Sequence, residues 1–188
     1  MSLEDICLKL RFKLKPYEYF KLEQCFRKAA VAIILHASKM GFEALYVRRA
    51  YNPSDPWSGQ IAFPGGRFRE GDGDIVETAI REVYEETSIK LSRMDILGLM
   101  ETFHPLNEPG LEVIPVVALI KSKLNVKLSG ELQEYFWAPI NRLSKGNAEV
   151  KYNDGRVGCV EAYIYDGYVI WGLTARITES LIKILQSL

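Results

Sequence analysis

Apolar residues along the chain fall into short runs and two periodicities. Ala29 to Leu35 is a continuous apolar run of strand length, and it predicts a buried strand. Glu43 to Arg49 follows as its hairpin partner across the turn from Ser38 to Gly41. A loop rich in breakers, Tyr51-Asn52-Pro53-Ser54-Asp55-Pro56-Trp57-Ser58-Gly59, leads into a short strand from Gln60 to Phe63. Pro64-Gly65-Gly66 stops that strand, and Arg67 to Asp74 reads as polar loop. Between Ile75 and Thr87 the residues Ile75, Val76, Ala79, Ile80 and Val83 recur at spacings of three and four, the spacing of a helix. Asp74 is its expected N-cap, with Glu77 three residues on in the manner of a capping box. Strands are predicted over Asp95 to Thr102 and Leu111 to Ile120, separated by a loop containing proline. Glu134 to Trp137, Val157 to Tyr165 and Tyr168 to Trp171 read as later strands, and Thr174 to Leu188 as a final amphipathic helix.

Residues 3 to 28 are mixed and charged and suit one or two short helices around Pro16. No repeat, low-complexity segment or linker divides the chain. Its 188 residues suffice for one domain with a sizeable core. The expected organisation is an N-terminal helical extension over 1–28 packed on a domain over 29–188. Strands alternating with two or three helices predict α/β or α+β packing, with helices against a mixed sheet.

Charge narrows the function. Twenty-four basic and twenty-four acidic side chains cancel, which gives no reason to expect nucleic acid or an acidic membrane surface as partner. An anionic ligand must then be held by local features, such as a cation or a few placed arginines. The apolar runs fall far short of the roughly 20 residues of a membrane helix, and the first residues lack the order of a secretory signal. Cys7, Cys25 and Cys159 are odd in number, widely spaced and without a C-x-x-C pair, which predicts neither a zinc site nor a disulfide framework. The expectation is a reduced, cytoplasmic protein.

One cluster carries chemistry. Glu82, Glu85 and Glu86 stand at i, i+3 and i+4, so all three project from one side of the helix. Like charges at that spacing repel unless something positive lies over them. Carboxylates suit Mg²⁺, which takes one or two of them together with substrate phosphates. Alone, this pattern reads better as a solvated acidic face, since acidic runs are common on helix surfaces. The preceding Phe63-Pro64-Gly65-Gly66 alters the balance, because glycines let backbone approach a metal or phosphate closely.

The stretch from Gly66 to Ile89 resembles the Nudix box, G-x5-E-x7-R-E-U-x-E-E-x-G-U with U a bulky aliphatic residue. Arg81-Glu82-Val83-Tyr84-Glu85-Glu86-Thr87-Ser88-Ile89 matches its second half except that Ser88 replaces glycine, a change expected to cost little. Gly66 lies one residue further from Arg81 than the pattern allows, and Gly73 stands where it has glutamate, with Asp72, Asp74 or Glu70 as replacements. The resemblance implies a Nudix-type α/β/α sandwich with a mixed sheet between helices. It also implies Glu82, Glu85 and Glu86 as metal ligands for Mg²⁺ or Mn²⁺, with Arg81 orienting them and the Gly66 carbonyl completing the shell. Glu85, Glu86 and Arg81 are the implied catalytic set. The reaction would be hydrolysis of a pyrophosphate bond in a nucleoside diphosphate derivative.

Flanking segments are similar to the coenzyme A pyrophosphatase subfamily: Gly59 to Gly66, Val113 to Ala118, Phe136 to Pro139 and Ile170 to Arg176. Asp55 and Trp57, however, replace the arginine and histidine of that subfamily's signature. Arg48, Arg49, Arg67 and Arg69 could supply charge in their stead, and Trp57, Tyr51 or Phe103 could stack on a base. Expected substrate contacts are Arg48, Arg49, Trp57, Gln60 and Arg67. Coenzyme A leads, with ADP-ribose or another nucleoside diphosphate derivative behind it, and a non-catalytic Nudix nucleotide-binding module is a rival class. Glu85, Glu86, Glu108, Glu112 and Glu131 are the possible general bases. His36 reads as a turn residue, Trp137 and Trp171 as core, and Tyr163 and Tyr165 as residues of a strand with one face outward, while His104 is a loop residue also able to face a substrate. A small nucleotide is the expected partner, and the protein itself is expected to be monomeric or homodimeric.

Overall fold

The computed structural model describes residues 3–17, 27–38 and 41–188. Helix α1 spans Leu3–Lys13, and the remainder of the expected N-terminal extension falls largely outside the described residues. Strand β1, Lys28–Ser38, grows from the apolar run and forms the middle of the sheet. Its C-terminal part pairs antiparallel with β2, Gly41–Arg49, as the hairpin reading expected. From Lys28 to His36 it pairs parallel with β6, Glu112–Ile120. Strand β3 is only Ile61–Ala62, and β4, Gly65–Arg67, comes directly after Pro64. Strand β5 covers Ile96–Leu99 and β7 covers Leu132–Pro139. The main sheet runs β3-β2-β1-β6-β5, with β4 also on β1 and β7 also on β2. A second sheet holds β8, Ser144–Lys151, β9, Val157–Tyr165, and β10, Tyr168–Trp171, in the order β10-β9-β8.

Alternation along the central strands divides the core into two layers. Ala30, Ala32 and Ile34 of β1 and Ile114, Val116 and Ala118 of β6 face helix α2, Ile75–Thr87, which covers them with Ile75, Val76, Ala79 and Val83. Ile33, Leu35, Val117 and Leu119 point the other way, onto Leu10 of α1, Leu14 just after it, and Ile177 and Leu181 of α3, Gly172–Gln186. Each such fully buried aliphatic side chain contributes about 1.5–3 kcal/mol. The result is a mixed sheet between helices, as expected. Among the described residues no helix is long and apolar enough to cross a membrane.

The structure departs from the sequence reading in four places. Pro64-Gly65-Gly66 does not end the strand structure, because Gly65–Arg67 pairs antiparallel with Ala29–Val31. Only glycine fits at Gly65: its φ is 159°, and a Cβ would lie 2.2 Å from the Ala30 carbonyl oxygen. Strand β8 has no counterpart in the prediction, since only Val150 of its eight residues is buried and the apolar signal is absent. At the start of α2, Asp74 accepts the Glu77 backbone N–H as an N-cap. Glu77 does not return the bond of a capping box, and its carboxylate instead accepts from Arg93 Nε at 2.7 Å. At the other end, Ser88 sits in the left-handed region with φ 57°, where glycine carries no penalty and serine does.

Candidate active site

Helix α2 holds its acidic residues in unlike environments. Glu82 and Glu86 are 7% and 4% exposed, because the helix face that carries them packs toward β4. Glu82 lies directly on Gly66: a Cβ there would fall 2.5–2.7 Å from the Glu82 carboxyl group. Glu86 reaches the neighbouring residue, and its Oε2 accepts the Gly65 N–H at 3.0 Å. The two glycines therefore form a floor that only residues without side chains can provide. Glu85, one step round the helix, is exposed and reaches outward.

Arg81 ties this face to the preceding loop. Its Nε and Nη2 donate to the two oxygens of Asp72 at 2.8 and 2.9 Å, a bidentate pair. Its Nη2 also donates to the Arg67 carbonyl at 3.1 Å, and Nη1 to Glu82 Oε1 at 2.7 Å and Glu85 Oε2 at 3.3 Å. Asp72 accepts further bonds from Thr78 Oγ1 and the Arg69 N–H. The Arg81 guanidinium, chiefly through its hydrogen bonds, holds the Asp72 carboxyl down to about 2. Of the three acids offered as replacements for the box glutamate, Asp72 takes Arg81. Asp74 caps the helix and pairs with Arg93, and Glu70 lies exposed.

Glu86 is perturbed in the opposite direction. Burial pushes its carboxyl up to about 8; the Gly65 N–H and the charge of Arg49 work against that rise, and Glu82 and Glu131 add to it. A buried acid beside two others of like charge is a place where a hard cation would be stabilised. The donors offered are oxygens only, as Mg²⁺ and Mn²⁺ prefer. Among the described residues no group of three or more His, Cys, Asp or Glu side chains forms a ready-made metal cage. The residues present fit Mg²⁺ or Mn²⁺ by their donor type.

The structure separates the expected substrate contacts. Arg49 is paired with Asp55 at 2.7 Å and acts on Glu86 through its charge. Arg48 follows Ala44 and Tyr46 on the α3 side of β2, pairs with Glu134 and lies over the Tyr168 ring, so it is not brought to Glu86. Arg67 is exposed, and its Nη2 donates to both Glu108 oxygens at 2.8 and 2.7 Å. Asp55 also accepts the Trp57 N–H, which makes Asp55 the organiser of the breaker-rich loop, and Asn153 at the tip of the β8–β9 hairpin donates to its carbonyl. Trp57 is half-buried there, while Gln60 makes a long contact, 3.5 Å, to the Pro56 carbonyl. Among the base candidates, Glu108 is engaged by Arg67 and Glu112 by Lys28, whereas Glu131 acts electrostatically on Glu86. His104 bonds to the Pro109 carbonyl within its own loop, and His36 to Glu43. Two residues carry more of the site than the sequence indicated. Asp72 is the Arg81 clamp, and Arg69 donates to both Glu85 oxygens across sixteen positions, a contact that no local spacing signals.

A family model described as NUDIX domain matches residues 26–156. The chain is 33% identical over 192 residues to "Uncharacterized Nudix hydrolase NudL" of Photorhabdus laumondii, covering 99% of both. It is 32% identical over 163 residues to "Nudix hydrolase 15, mitochondrial" of Arabidopsis thaliana; the match covers 80% of this chain and 56% of that relative's length. Among solved structures, a MutT/nudix family protein from Enterococcus faecalis aligns over 100% of this chain and 69% of its own, with TM-score 0.57 and 18% identity, a likeness of fold.

Proposed function

The chain belongs to the Nudix family of hydrolases, and on that premise we propose that it cleaves the pyrophosphate bond of coenzyme A or a derivative, giving 3',5'-ADP and 4'-phosphopantetheine. The observation that carries the reaction is the pair of buried carboxylates, Glu82 and Glu86, seated on Gly66 and Gly65 and tied to the Asp72–Arg81 clamp. In this reading Glu82 and Glu86 hold Mg²⁺ or Mn²⁺ with the Gly66 carbonyl, and Glu85 lies within reach at the rim. Such an ion supplies Lewis acidity at the diphosphate oxygens and a more acidic water. Arg81 fixes the Glu82 carboxylate, and Asp72 fixes Arg81, so the ligand face is preorganised. Glu131 is the favoured general base, since of the loop glutamates it is the one whose charge acts on Glu86.

Coenzyme A rests on the flanking segments that resemble the pyrophosphatases acting on it. One observation favours the second substrate reading, ADP-ribose or another nucleoside diphosphate derivative. Asp55 already occupies Arg49, the arginine nearest in charge to Glu86, and an aspartate offers no fork to a phosphate. A cytoplasmic setting belongs to the same proposal, and the free thiols Cys7 and Cys159 are in keeping with it. The test is incubation with coenzyme A, ADP-ribose and dinucleoside polyphosphates plus Mg²⁺ or Mn²⁺, with products separated by chromatography. Cleavage that Glu86→Gln abolishes supports the reading. No cleavage of any compound, with Glu86→Gln indistinguishable from wild type, overturns it. Failure on coenzyme A alone removes only that substrate.

A further inference from the structure

Two arginines meet the α2 carboxylates, and they are held in different ways. Arg81 is 21% exposed at its side chain and locked by Asp72 and the Arg67 carbonyl. Arg69 is 57% exposed. Its Nη1 donates to Glu85 Oε1 and Oε2 at 3.2 and 3.1 Å, and its Nη2 lies 3.6 Å from Glu82 Oε1. Only its backbone is pinned: the Arg69 N–H donates to Asp72 Oδ2, and its carbonyl accepts the Asp72 N–H, each at 3.0 Å. The root of the side chain is thus fixed beside the site while its tip stays in solvent, able to swing.

We propose that Arg69 is a displaceable counter-ion, which covers Glu82 and Glu85 until a divalent cation arrives and then turns its guanidinium to a diphosphate oxygen of the substrate. The inference rests on the proposed reaction and extends it. Both arginines meet the same Glu82 oxygen, Oε1, Arg81 at 2.7 Å and Arg69 at 3.6 Å, so a cation taking that oxygen competes with both, and the exposed Arg69 is the one that can leave. Exposed ion pairs are weak, so the exchange needs little driving force. The guanidinium fork released by the exchange matches the geometry of phosphate oxygens as closely as that of a carboxylate. One residue then has opposite effects on two ligands: it opposes the cation and favours the anion.

Those opposite signs are the test. Mn²⁺ binding is measured calorimetrically without substrate on wild type, Arg69→Met and Arg69→Lys, and KM is measured for coenzyme A and ADP-ribose at saturating Mn²⁺. Arg69→Met is expected to bind Mn²⁺ roughly two- to fivefold more tightly, the range set by an exposed pair. Its KM for the cleaved substrate is expected to rise about tenfold. Arg69→Lys, which keeps the charge and loses the fork, is expected to leave Mn²⁺ affinity near wild type while still raising KM. Thermal melts of all three proteins are expected to coincide, since the side chain is exposed. Unchanged or weaker Mn²⁺ binding by Arg69→Met, or an unchanged KM, overturns the proposal alone when the wild type binds and cleaves. A wild type that neither binds Mn²⁺ nor cleaves overturns the proposed function with it.

Discussion

Asp72 and Glu86 are both carboxylates beside α2, yet the protein treats them oppositely. Asp72 accepts two bonds from Arg81, one from Thr78 and one from the Arg69 N–H, and its carboxyl is held down to about 2. Glu86 has one backbone donor, Gly65, and burial pushes it up to about 8. The first is a satisfied acid that fixes geometry. The second is an acid destabilised by burial, and in the proposed reading a cation would relieve it. Neighbouring groups of one chemical type are thus divided between scaffold and function by how many donors the fold gives each.

The sharpest way to break the comparison is to neutralise each acid in turn. Glu86→Gln is expected to lower kcat by on the order of 10²–10³-fold, the loss that follows when a cation stabilising transition-state charge is weakened; a steady-state assay with saturating Mn²⁺ reads it. Asp72→Asn is expected to lower stability by about 3 kcal/mol, because it leaves the partly buried Arg81 short of its main partner. Activity should fall roughly 10–100-fold as the Glu82 orientation loosens. Urea unfolding and kcat together check this, and an Asn variant as stable as wild type would make Asp72 a bystander.

The two acids also have opposite pH signatures in the metal-free protein. Folded Glu86 keeps its proton to about 8 whereas the unfolded carboxyl releases it near 4.5, so between those values the unfolded state binds fewer protons. Stability should therefore fall as pH rises through that window, by on the order of a few kcal/mol, and Glu86→Gln should flatten the slope. Asp72 acts below that window: its contribution is complete above the unfolded value near 3.8 and is lost as pH falls toward about 2. Unfolding free energies measured at intervals from pH 2 to 9 separate the two. The smallest effect concerns the end of the helix next to Glu86. Ser88→Gly is expected to raise stability by about 1 kcal/mol, by relieving the left-handed conformation at φ 57°. A melting temperature that does not move would show that the helix end holds Ser88 without strain.

Much of this site was legible because its elements carry strong local signals. The spacing from Ile75 to Val83 fixed α2, and with it the common side shared by Glu82 and Glu86. The run from Ala29 to Leu35 located β1. Legibility failed where the deciding contact is tertiary. Glu70, Asp72 and Asp74 are equivalent as acids in a glycine-rich loop, and only the folded path of residues 67–74 hands Arg81 to Asp72. Pro64-Gly65-Gly66 has the composition of a strand stop, yet Gly65 admits β4 against β1 at a separation no side chain tolerates, and Gly66 leaves room for the Glu82 carboxyl group. Ser144–Lys151 is a strand because β9 pairs with it throughout, which compensates for its lack of apolar residues. Arg48 and Arg49 are adjacent in sequence and diverge to opposite sides of the sheet, one toward Tyr168 and the other toward the charge of Glu86.

The parallel pairing of β1 with β6 also constrains the order in which the molecule is made. Lys28 lies opposite Glu112, so about eighty residues of chain must close into a loop before the central ladder can form. Helix α2 belongs to that loop, and the apolar surface it covers is built from both strands. Until α2 docks on that surface and on β4, Glu86 is hydrated and ordinary in its acidity. The unfavourable burial of the acid is thus expected to follow the long-range closure that brings β1 and β6 together.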